Sequence, residues 1–177
     1  EKDWTDGRPL LLPEPRGRRS PARGRGRAGR PASGDADLVG VFSGDGLDHA
    51  TRHLLHRLDE EEGAPAHVLD LGCGWGPIAL ALAVHWPEAE VWAVDVNERA
   101  LELTERNAER HDLPVATSLP EDVPDDLRFD AIWSNPPIRI GKQALHQLLL
   151  LWLERLTQDG TMTMVVGRQL GADSLQR

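Results

Sequence analysis

The sequence predicts an α/β fold in which a doubly wound, mostly parallel sheet carries helices on both faces. Two observations lead to this prediction. Short apolar runs of the kind found in buried parallel strands alternate with helical patterns of about 10–15 residues. A glycine-rich turn, Gly72–Gly76, follows the first of these runs. Because strands that alternate with helices pair in parallel through right-handed crossovers, we expect a Rossmann-like arrangement.

Capping and turn residues support the ends of the predicted elements. Pro77 suits the first position of a helix, and Asn97 suits an N-cap. Either Ser43 or Asp48 is expected to start the first helix, and Asp159-Gly160 is expected to form a turn. The predicted helices span residues 49–58, 77–86, 98–110 and 143–156. The predicted strands span residues 68–71, 91–94, 115–117, 129–134 and 161–166.

The charge of the chain is unevenly distributed over its 177 residues. Residues 1–37 contain nine Lys and Arg against six Asp and Glu, and residues 38–177 contain eleven against twenty-three. Seven arginines lie from Arg16 to Arg30 with no acidic residue among them. We therefore expect residues 1–37, rich in Arg, Gly and Pro, to form a flexible arm on a folded, acidic domain. The arm is interpreted either as a tether to a polyanion or as a solvated linker.

The sequence favours a soluble, cytoplasmic protein without a membrane partner. The single cysteine, Cys73, excludes an intrachain disulfide and fits a reducing compartment. No apolar core of a signal peptide follows Glu1-Lys2-Asp3, and the longest apolar run, Leu148–Leu153, is too short to cross a bilayer. Three histidines in the first helix lack a cysteine partner, so no metal site is predicted.

The glycine turn indicates a binding site for a cofactor that contains a nucleoside. Gly72, Gly74 and Gly76 alternate, so the backbone can adopt positive φ and approach a ligand closely. The second strand ends at Asp95, about 20 residues further on, where an acid can bind two ribose hydroxyls. Domains that bind a nicotinamide or flavin cofactor show the same combination of a glycine turn and an acid at the end of the second strand. Pro77 replaces the third glycine of the dinucleotide pattern, which counts against a dinucleotide.

A second motif, Ser134-Asn135-Pro136-Pro137, directly follows the strand over residues 129–134. In an open α/β sheet it lies on the same edge as the glycine turn, because ligands bind at the carboxyl ends of the strands. The prolines restrict the backbone and supply no N–H donor. An amide oxygen and a rigid carbonyl can together accept both hydrogens of an amino group, so the motif suits an –NH₂ nucleophile. The alternative interpretation is an ordinary Pro-Pro turn.

These motifs resemble a known family. The D-L-G-C-G-x-G turn at residues 70–76, Asp95 and Asn135-Pro136-Pro137 resemble class I S-adenosylmethionine-dependent methyltransferases that act on nitrogen. The chain is more closely similar to the small-domain methyltransferases typified by the 16S ribosomal RNA guanine-N2 methyltransferases. The flanking segments Gly40–Asp48 and Leu170–Arg177 also resemble that group, so the similarity covers about residues 39–177. The glycine turn is common to the whole superfamily, whereas the Asn135-Pro136-Pro137 stretch and the flanking segments are more specific to this group.

The resemblance implies a cofactor, S-adenosylmethionine, and a direct in-line transfer of its methyl group. Asn135 Oδ1 and the Pro136 carbonyl would accept the amino hydrogens, and Pro137 completes the implied catalytic residues. Cys73 is expected to be a turn residue and not a nucleophile. The cofactor would be bound by Asp70, Gly72, Cys73, Gly74, Gly76, Asp95 and Asn135.

The resemblance also implies substrate-binding residues after the Pro-Pro pair. Arg139 and Lys142 would bind phosphates next to the target base, which must leave its stack to reach the pocket. Ile138 stands where many amino-group methylases have an aromatic residue that stacks on the base. Such stacking contributes roughly 1–3 kcal/mol per base, and an aliphatic side chain would provide less of it.

The implied substrate is guanine N2 of small-subunit ribosomal RNA, either naked or in the small ribosomal subunit. Three alternatives stay open at this point: glutamine N5 methylation of release factors, adenine-N6 methylation of DNA, and a non-catalytic RNA-binding module. Residues 38–177 would form the methyltransferase domain. Sheets of this kind usually continue further, which leaves open that its last strands are missing. The sequence does not determine the oligomeric state.

Overall fold

The computed structural model describes residues 47–136 and 141–166. Five strands form one parallel sheet in the order β3-β2-β1-β4-β5, which confirms the predicted fold class. The helices are α1 (His49–Asp59), α2 (Pro77–His85), α3 (Glu98–Arg110) and α4 (Lys142–Leu153), with a 3₁₀ turn at Pro120–Asp122. The strands are β1 (His67–Leu71), β2 (Glu90–Val94), β3 (Val115–Ser118), β4 (Phe129–Ser134) and β5 (Leu156–Met164). None of the helices in this described part is long and apolar enough to cross a membrane.

Three of the helices begin at the residues that capping rules favour. Asp48 caps α1, because its carboxylate accepts hydrogen bonds from two backbone N–H groups of the first turn. Ser43, the other candidate for this cap, lies outside the described residues. Asn97 caps α3 by accepting from the N–H of Arg99, as predicted. Pro77 occupies the first turn of α2, where its missing N–H costs nothing.

Helices cover both faces of the sheet, and each face has its own apolar core. On one face, leucines of α1 and α2 such as Leu55 and Leu80 pack against Val68 of β1. On the other face, Trp152 of α4 packs with Phe129 of β4, and their ring centroids lie 6.4 Å apart. Because both faces are buried, the central strands are almost continuously apolar, which is what the sequence pattern indicated.

The boundary between α4 and β5 differs from the sequence prediction. α4 ends at Leu153, three residues before the predicted end at Leu156, and Leu156 is instead the first residue of β5. β5 ends at Met164, not at residue 166. The apolar run of α4 gave no signal for this end, because Trp152, Leu153 and Leu156 suit a helix and a strand equally well.

The predicted turn at Asp159-Gly160 lies inside β5, so that prediction was wrong. The strand is irregular at this point, because Phe129 pairs with Leu156 whereas Ala131 pairs with Thr161. Gly160 allows the close approach, since a Cβ there would lie 2.9 Å from the carbonyl oxygen of Phe129. The extra residues form a bulge and do not interrupt the strand.

The register of the sheet brings the two predicted motifs to one edge. Leu71 of β1 pairs with Val94 of β2 on one side and with Ser134 of β4 on the other. The Ser134 hydroxyl also donates a 2.7 Å hydrogen bond to the Leu71 carbonyl. The next residues of these three strands therefore leave the sheet at the same level; they are Gly72, Asp95 and Asn135. This edge lies where the chain order reverses, the usual position of a ligand site in such sheets.

Candidate active site

The three glycines of the turn after β1 all have left-handed backbone conformations, but for different reasons. The φ angles are +77° at Gly72, +59° at Gly74 and +92° at Gly76. A Cβ at Gly72 or Gly74 would meet no atom within 4 Å. A Cβ at Gly76 would lie 2.8 Å from the side chain of Thr104. Gly72 and Gly74 therefore border open space that a ligand can fill, whereas Gly76 permits the packing of α3 against the turn.

Two buried polar residues of α3 bind the carbonyl groups of the turn. Thr104 donates through Oγ1 to the carbonyl of Gly74 at 3.1 Å. Asn107 donates through Nδ2 to the carbonyl of Trp75 at 2.9 Å. Sequence reasoning missed both residues. The available signal was their position, because two polar side chains three residues apart interrupt the buried stripe of α3.

Asp95 lies directly beside the glycine turn. Its Oδ2 accepts a 3.0 Å hydrogen bond from the N–H of Gly74, and its Oδ1 accepts a 2.9 Å bond from the N–H of Asn97. The carboxylate thereby connects the turn after β1 to the start of α3. A carboxylate has about four lone-pair sites, so these two bonds leave Asp95 able to accept further hydrogens from a ligand.

Asp70 is a buried carboxylate in which only one of the two oxygens accepts a hydrogen bond from a described residue. Its Oδ2 accepts a 2.8 Å bond from the N–H of Ala79 in the first turn of α2. Its Oδ1 is also buried, but no described residue donates to it. Burial raises the pKa of Asp70 to about 7, and the charge of Asp95 adds to the effect. Such an incompletely bonded carboxylate is typical of a site that a donor-bearing ligand completes.

Cys73 occupies the middle of the turn as a buried side chain. Burial raises the pKa of its thiol, and the negative charge of Asp70 raises it further. Because the thiolate is the nucleophilic form, Cys73 is unreactive at neutral pH. This agrees with the expectation that Cys73 is a residue of the turn.

Asn135 is bonded through both hydrogens of its amide. Its Nδ2 donates to Thr51 Oγ1 at 2.9 Å and lies 3.3 Å from each carboxylate oxygen of Asp48. No residue that the structure describes donates a hydrogen bond to Asn135 Oδ1, so this oxygen can accept from a substrate. Sequence reasoning missed the contact with Asp48 and Thr51, because the three residues lie in distant parts of the chain.

Asp48 is ionised at neutral pH in this arrangement. Partial burial alone would raise its pKa, but hydrogen bonds from Thr51, Ala50 and Asn135 outweigh burial and lower the pKa. The carboxylate is thus a fixed negative charge directly behind the amide of Asn135. A group of this kind orients its neighbour, because an ionised carboxylate can only accept hydrogen bonds.

The remaining predicted substrate residues are only partly described. Pro136 is buried next to Asn135, and Lys142 is exposed at the first residue of α4. Pro137, Ile138 and Arg139 lie outside the described residues, so their predicted roles stay predictions. In residues 47–136 and 141–166, no three His, Cys, Asp or Glu side chains converge to bind a metal.

The geometry of the turn fits S-adenosylmethionine. Gly72 and Gly74 provide open space beside the backbone, Asp70 has an unbonded oxygen, and Asp95 has lone pairs to spare. S-adenosylmethionine offers the complementary groups, namely an ammonium, a sulfonium and two ribose hydroxyls. Fold, turn and acid together define the class of protein as a class I S-adenosylmethionine-dependent methyltransferase.

The chain belongs to the methyltransferase small domain family, whose family model matches residues 36–177. This match confirms the resemblance found in the sequence. It includes both the glycine turn and the Asn135-Pro136 segment.

Two relatives illustrate the similarity. An uncharacterized protein, YbxB of Bacillus subtilis, is 36% identical over 139 residues, which cover 76% of this chain and 69% of the relative. Ribosomal RNA small subunit methyltransferase C of Klebsiella pneumoniae is 39% identical over 135 residues, 72% of this chain and 38% of the relative. The chain thus spans about two fifths of that methyltransferase.

A solved structure supports the cofactor assignment. The tRNA (uracil-54, C5)-methyltransferase of Pyrococcus abyssi, in complex with S-adenosyl-L-homocysteine, matches with a TM-score of 0.55 and 26% identity. The match covers 71% of this chain and 31% of the other. S-adenosyl-L-homocysteine is S-adenosylmethionine without its methyl group, and S-adenosylmethionine is the cofactor of the class.

Proposed function

We propose that this protein transfers a methyl group from S-adenosylmethionine to an exocyclic amino group, guanine N2 of small-subunit ribosomal RNA. The observation that carries the proposal is the state of Asn135. Both of its amide hydrogens are bonded within the protein, and its Oδ1 is left to accept a hydrogen from a substrate. Asn135 lies at the end of β4, on the same edge of the sheet as the glycine turn.

The site residues suit an amino nucleophile better than a carbon nucleophile. Asn135 Oδ1 and the carbonyl of Pro136 can accept the two hydrogens of an –NH₂ group, whereas a ring carbon has no pair of polar hydrogens to offer. Accepting both hydrogens would orient the nitrogen lone pair, and it would stabilise the positive charge that develops on nitrogen.

S-adenosylmethionine, held by Asp70, Asp95 and the glycine turn, would supply the methyl group from its sulfonium. The bond from the substrate nitrogen to the methyl carbon would form as the bond from that carbon to sulfur breaks, and the methylated nitrogen would then release one proton to water. Cys73 has no part in this chemistry, because its buried thiol is not ionised. The proposed mechanism therefore has no covalent enzyme intermediate.

Ribosomal RNA is the proposed substrate for two reasons. Ribosomal RNA small subunit methyltransferase C is among the relatives, at 39% identity. The basic segment Arg16–Arg30, with Arg139 and Lys142, offers the charges that phosphates require. Since residues 38–177 carry a net charge of −12, from eleven basic and twenty-three acidic residues, we propose that residues 1–37 act as the RNA-binding arm of the methyltransferase domain. Such a protein would act in the cytoplasm.

The experiment that tests this proposal compares the wild type with Asn135→Ala. Transfer of labelled methyl groups is measured with naked 16S ribosomal RNA, small subunits, large subunits and release factor as substrates. We expect the wild type to label small-subunit RNA at the amino group of guanine. Asn135→Ala should reduce the rate about 10²–10³-fold, because it removes an acceptor that acts in the transition state.

Binding measurements complete the test. Asn135→Ala should leave RNA affinity nearly unchanged and lower cofactor affinity only slightly. Transfer by Asn135→Ala at the wild-type rate would contradict the amino-group mechanism. Labelling of release factor alone would identify a glutamine methyltransferase, and RNA binding without any transfer would identify a binding module.

A further inference from the structure

We propose that Asp48 and Thr51 are positioning residues that fix the orientation of the Asn135 amide. This inference rests on the proposed function for the role of Asn135, but it concerns two residues at the start of α1. Asp48 lies 87 positions from Asn135 in the sequence, and Thr51 lies 84 positions from it. The fold therefore brings the N-terminus of α1 to the candidate catalytic residue.

The hydrogen bonds between these three residues form a chain in which each side chain donates to the next, from Asn135 to Thr51 and from Thr51 to Asp48. Asn135 Nδ2 donates to Thr51 Oγ1 at 2.9 Å, and Thr51 Oγ1 donates to Asp48 Oδ2 at 2.8 Å. The second hydrogen of Nδ2 faces the Asp48 carboxylate, with both oxygens at 3.3 Å. If the amide rotated by 180°, Oδ1 would face a carboxylate that has no hydrogen to donate. Only one orientation is therefore compatible with Asp48, and it leaves Oδ1 free.

The charge of Asp48 also changes the amide electronically. A carboxylate that accepts from an N–H group polarises the amide and makes its carbonyl oxygen a stronger acceptor. The same negative charge lies on the side of Asn135 opposite to its free oxygen. It favours the positive charge that develops on an amino nitrogen bound to Asn135 Oδ1.

The anchor is rigid because Asp48 is held by the helix that it caps. Asp48 Oδ1 accepts from the N–H of Ala50 at 2.8 Å and from the N–H of Thr51 at 3.0 Å. Thr51 is 3% exposed, and α1 is held on the sheet by buried leucines, including Leu55. The orientation of Asn135 is thus coupled to a packed helix.

A helix cap alone would explain Asp48 without any role in positioning, so the test must separate these two functions. Asp48→Asn keeps the cap, since Asn caps helices as well as Asp does. To cap α1, the new amide must direct its oxygen toward the N–H groups, and its NH₂ group then faces Asn135. Two NH₂ groups cannot bond to each other, so Asn135 Nδ2 loses one of its two carboxylate acceptors and keeps only the capping oxygen, which lies 3.3 Å away and already accepts from the N–H groups of Ala50 and Thr51. The rotated amide, in which Asn135 Oδ1 accepts from the new NH₂ group, is therefore favoured, and it has no free oxygen.

The expected result is a selective loss of turnover. Asp48→Asn should lower kcat about 10–100-fold, by analogy with the loss seen when the hydrogen-bond partner that orients a metal ligand is removed. Thermal stability and the KM for both substrates should stay near wild-type values. Asp48→Ser, which caps the helix but is too short to reach Asn135, should cause a smaller loss because the amide rotates freely.

Thr51 provides a matched pair of variants. Thr51→Ser retains the hydroxyl and should retain the wild-type kcat, whereas Thr51→Val removes the hydroxyl and should lower it. Leu58→Val, at the other end of α1, serves as the control. It destabilises the same helix from a buried site without contact with Asn135, so it should lower the melting temperature and leave kcat unchanged.

The NMR signals of the Asn135 side-chain amide, assigned by their absence in Asn135→Ala, provide a readout that does not depend on the substrate. Asp48→Asn and Thr51→Val should shift these signals, and Leu58→Val should not. Unchanged signals or an unchanged kcat in Asp48→Asn would overturn the inference. If the wild type methylates no nucleic acid, the proposed function fails, and the amide signals still decide whether Asp48 orients Asn135.

Discussion

The two halves of the candidate site differ in how far the protein itself completes them. In the glycine turn after β1, Asp70 has a buried oxygen without a described partner, and Gly72 borders open space. At the end of β4, Asn135 has both amide hydrogens bonded to α1. The first half is thus arranged to be completed by a ligand. The second half is oriented in advance, as expected for a group that must stabilise a transition state.

Two carboxylates show the physical basis of this difference. Burial acts in the same direction on both, since it raises the pKa of Asp70 and of Asp48. Asp70 receives one described hydrogen bond, from the N–H of Ala79, and its pKa is about 7. Asp48 receives bonds from Ala50, Thr51 and Asn135, and its pKa is lowered. Asp70 is fully buried, lies near the charge of Asp95 and has one donor, whereas Asp48 is only partly buried and has several donors. Burial and the number of donors together therefore separate the pKa values of the two carboxylates.

The largest effect that we expect concerns Asp70 and pH. Folding raises its pKa from 3.8 to about 7, so between these values the folded protein holds a proton that the unfolded chain releases. The free energy of unfolding should therefore fall by roughly 2–3 kcal/mol as the pH rises from about 5 to 7, and it should level off above that. Asp70→Asn should remove this loss and stabilise the cofactor-free protein at pH 8. Urea unfolding of the wild type and of Asp70→Asn at pH 5 and pH 8 measures the free energy of unfolding.

The control for this experiment is Asp48→Asn, which leaves Asp70 in place and should keep the loss of stability between pH 5 and 7. Asp70→Asn should also bind S-adenosylmethionine more weakly, because a donor replaces the unbonded acceptor. If its stability showed the wild-type pH dependence, the contrast between the two carboxylates would be wrong.

A second prediction concerns Asp95 on the ligand side of the site. Asp95→Ala should weaken S-adenosylmethionine binding by about 1.5–3 kcal/mol, the range for hydrogen bonds to a charged group. Part of the loss would come from the turn, because Gly74 would lose its bond to the carboxylate. Calorimetry measures the affinity, with Asn135→Ala as the reference that should change it little. An unchanged affinity would exclude Asp95 as the ribose ligand.

The smallest effect is expected for the hydrogen bond from Thr104 to the glycine turn. Thr104→Val removes the hydroxyl that donates to the Gly74 carbonyl, but keeps most of the side chain that packs on Gly76. The free energy of unfolding should fall by about 1 kcal/mol, the typical contribution of one hydrogen bond. Cofactor affinity should fall modestly, and kcat at saturating cofactor should not change. A lower kcat would show that the turn and Asn135 are not independent.

The errors of the sequence prediction occur where local patterns are ambiguous. The run that ends at Leu156 satisfies helical and strand patterns equally, so the end of α4 was placed three residues too late. Gly160 has the sequence context of a turn, yet it serves a bulge beside Phe129. In both cases the neighbouring strand β4 determines the conformation of the segment, because pairing with β4 satisfies the backbone groups of β5.

The sequence by itself determined the parts of this protein that depend on local chemistry. Alternating strands and helices gave the doubly wound sheet, and three glycines followed by Asp95 indicated the cofactor edge. Tertiary structure alone decided what lies behind these motifs, such as the bonds from Thr104 to the turn and from Asn135 to Asp48. The physical reason is that periodicity and spacing report neighbours along the chain, whereas the orientation of an amide depends on donors and acceptors that folding brings from far away.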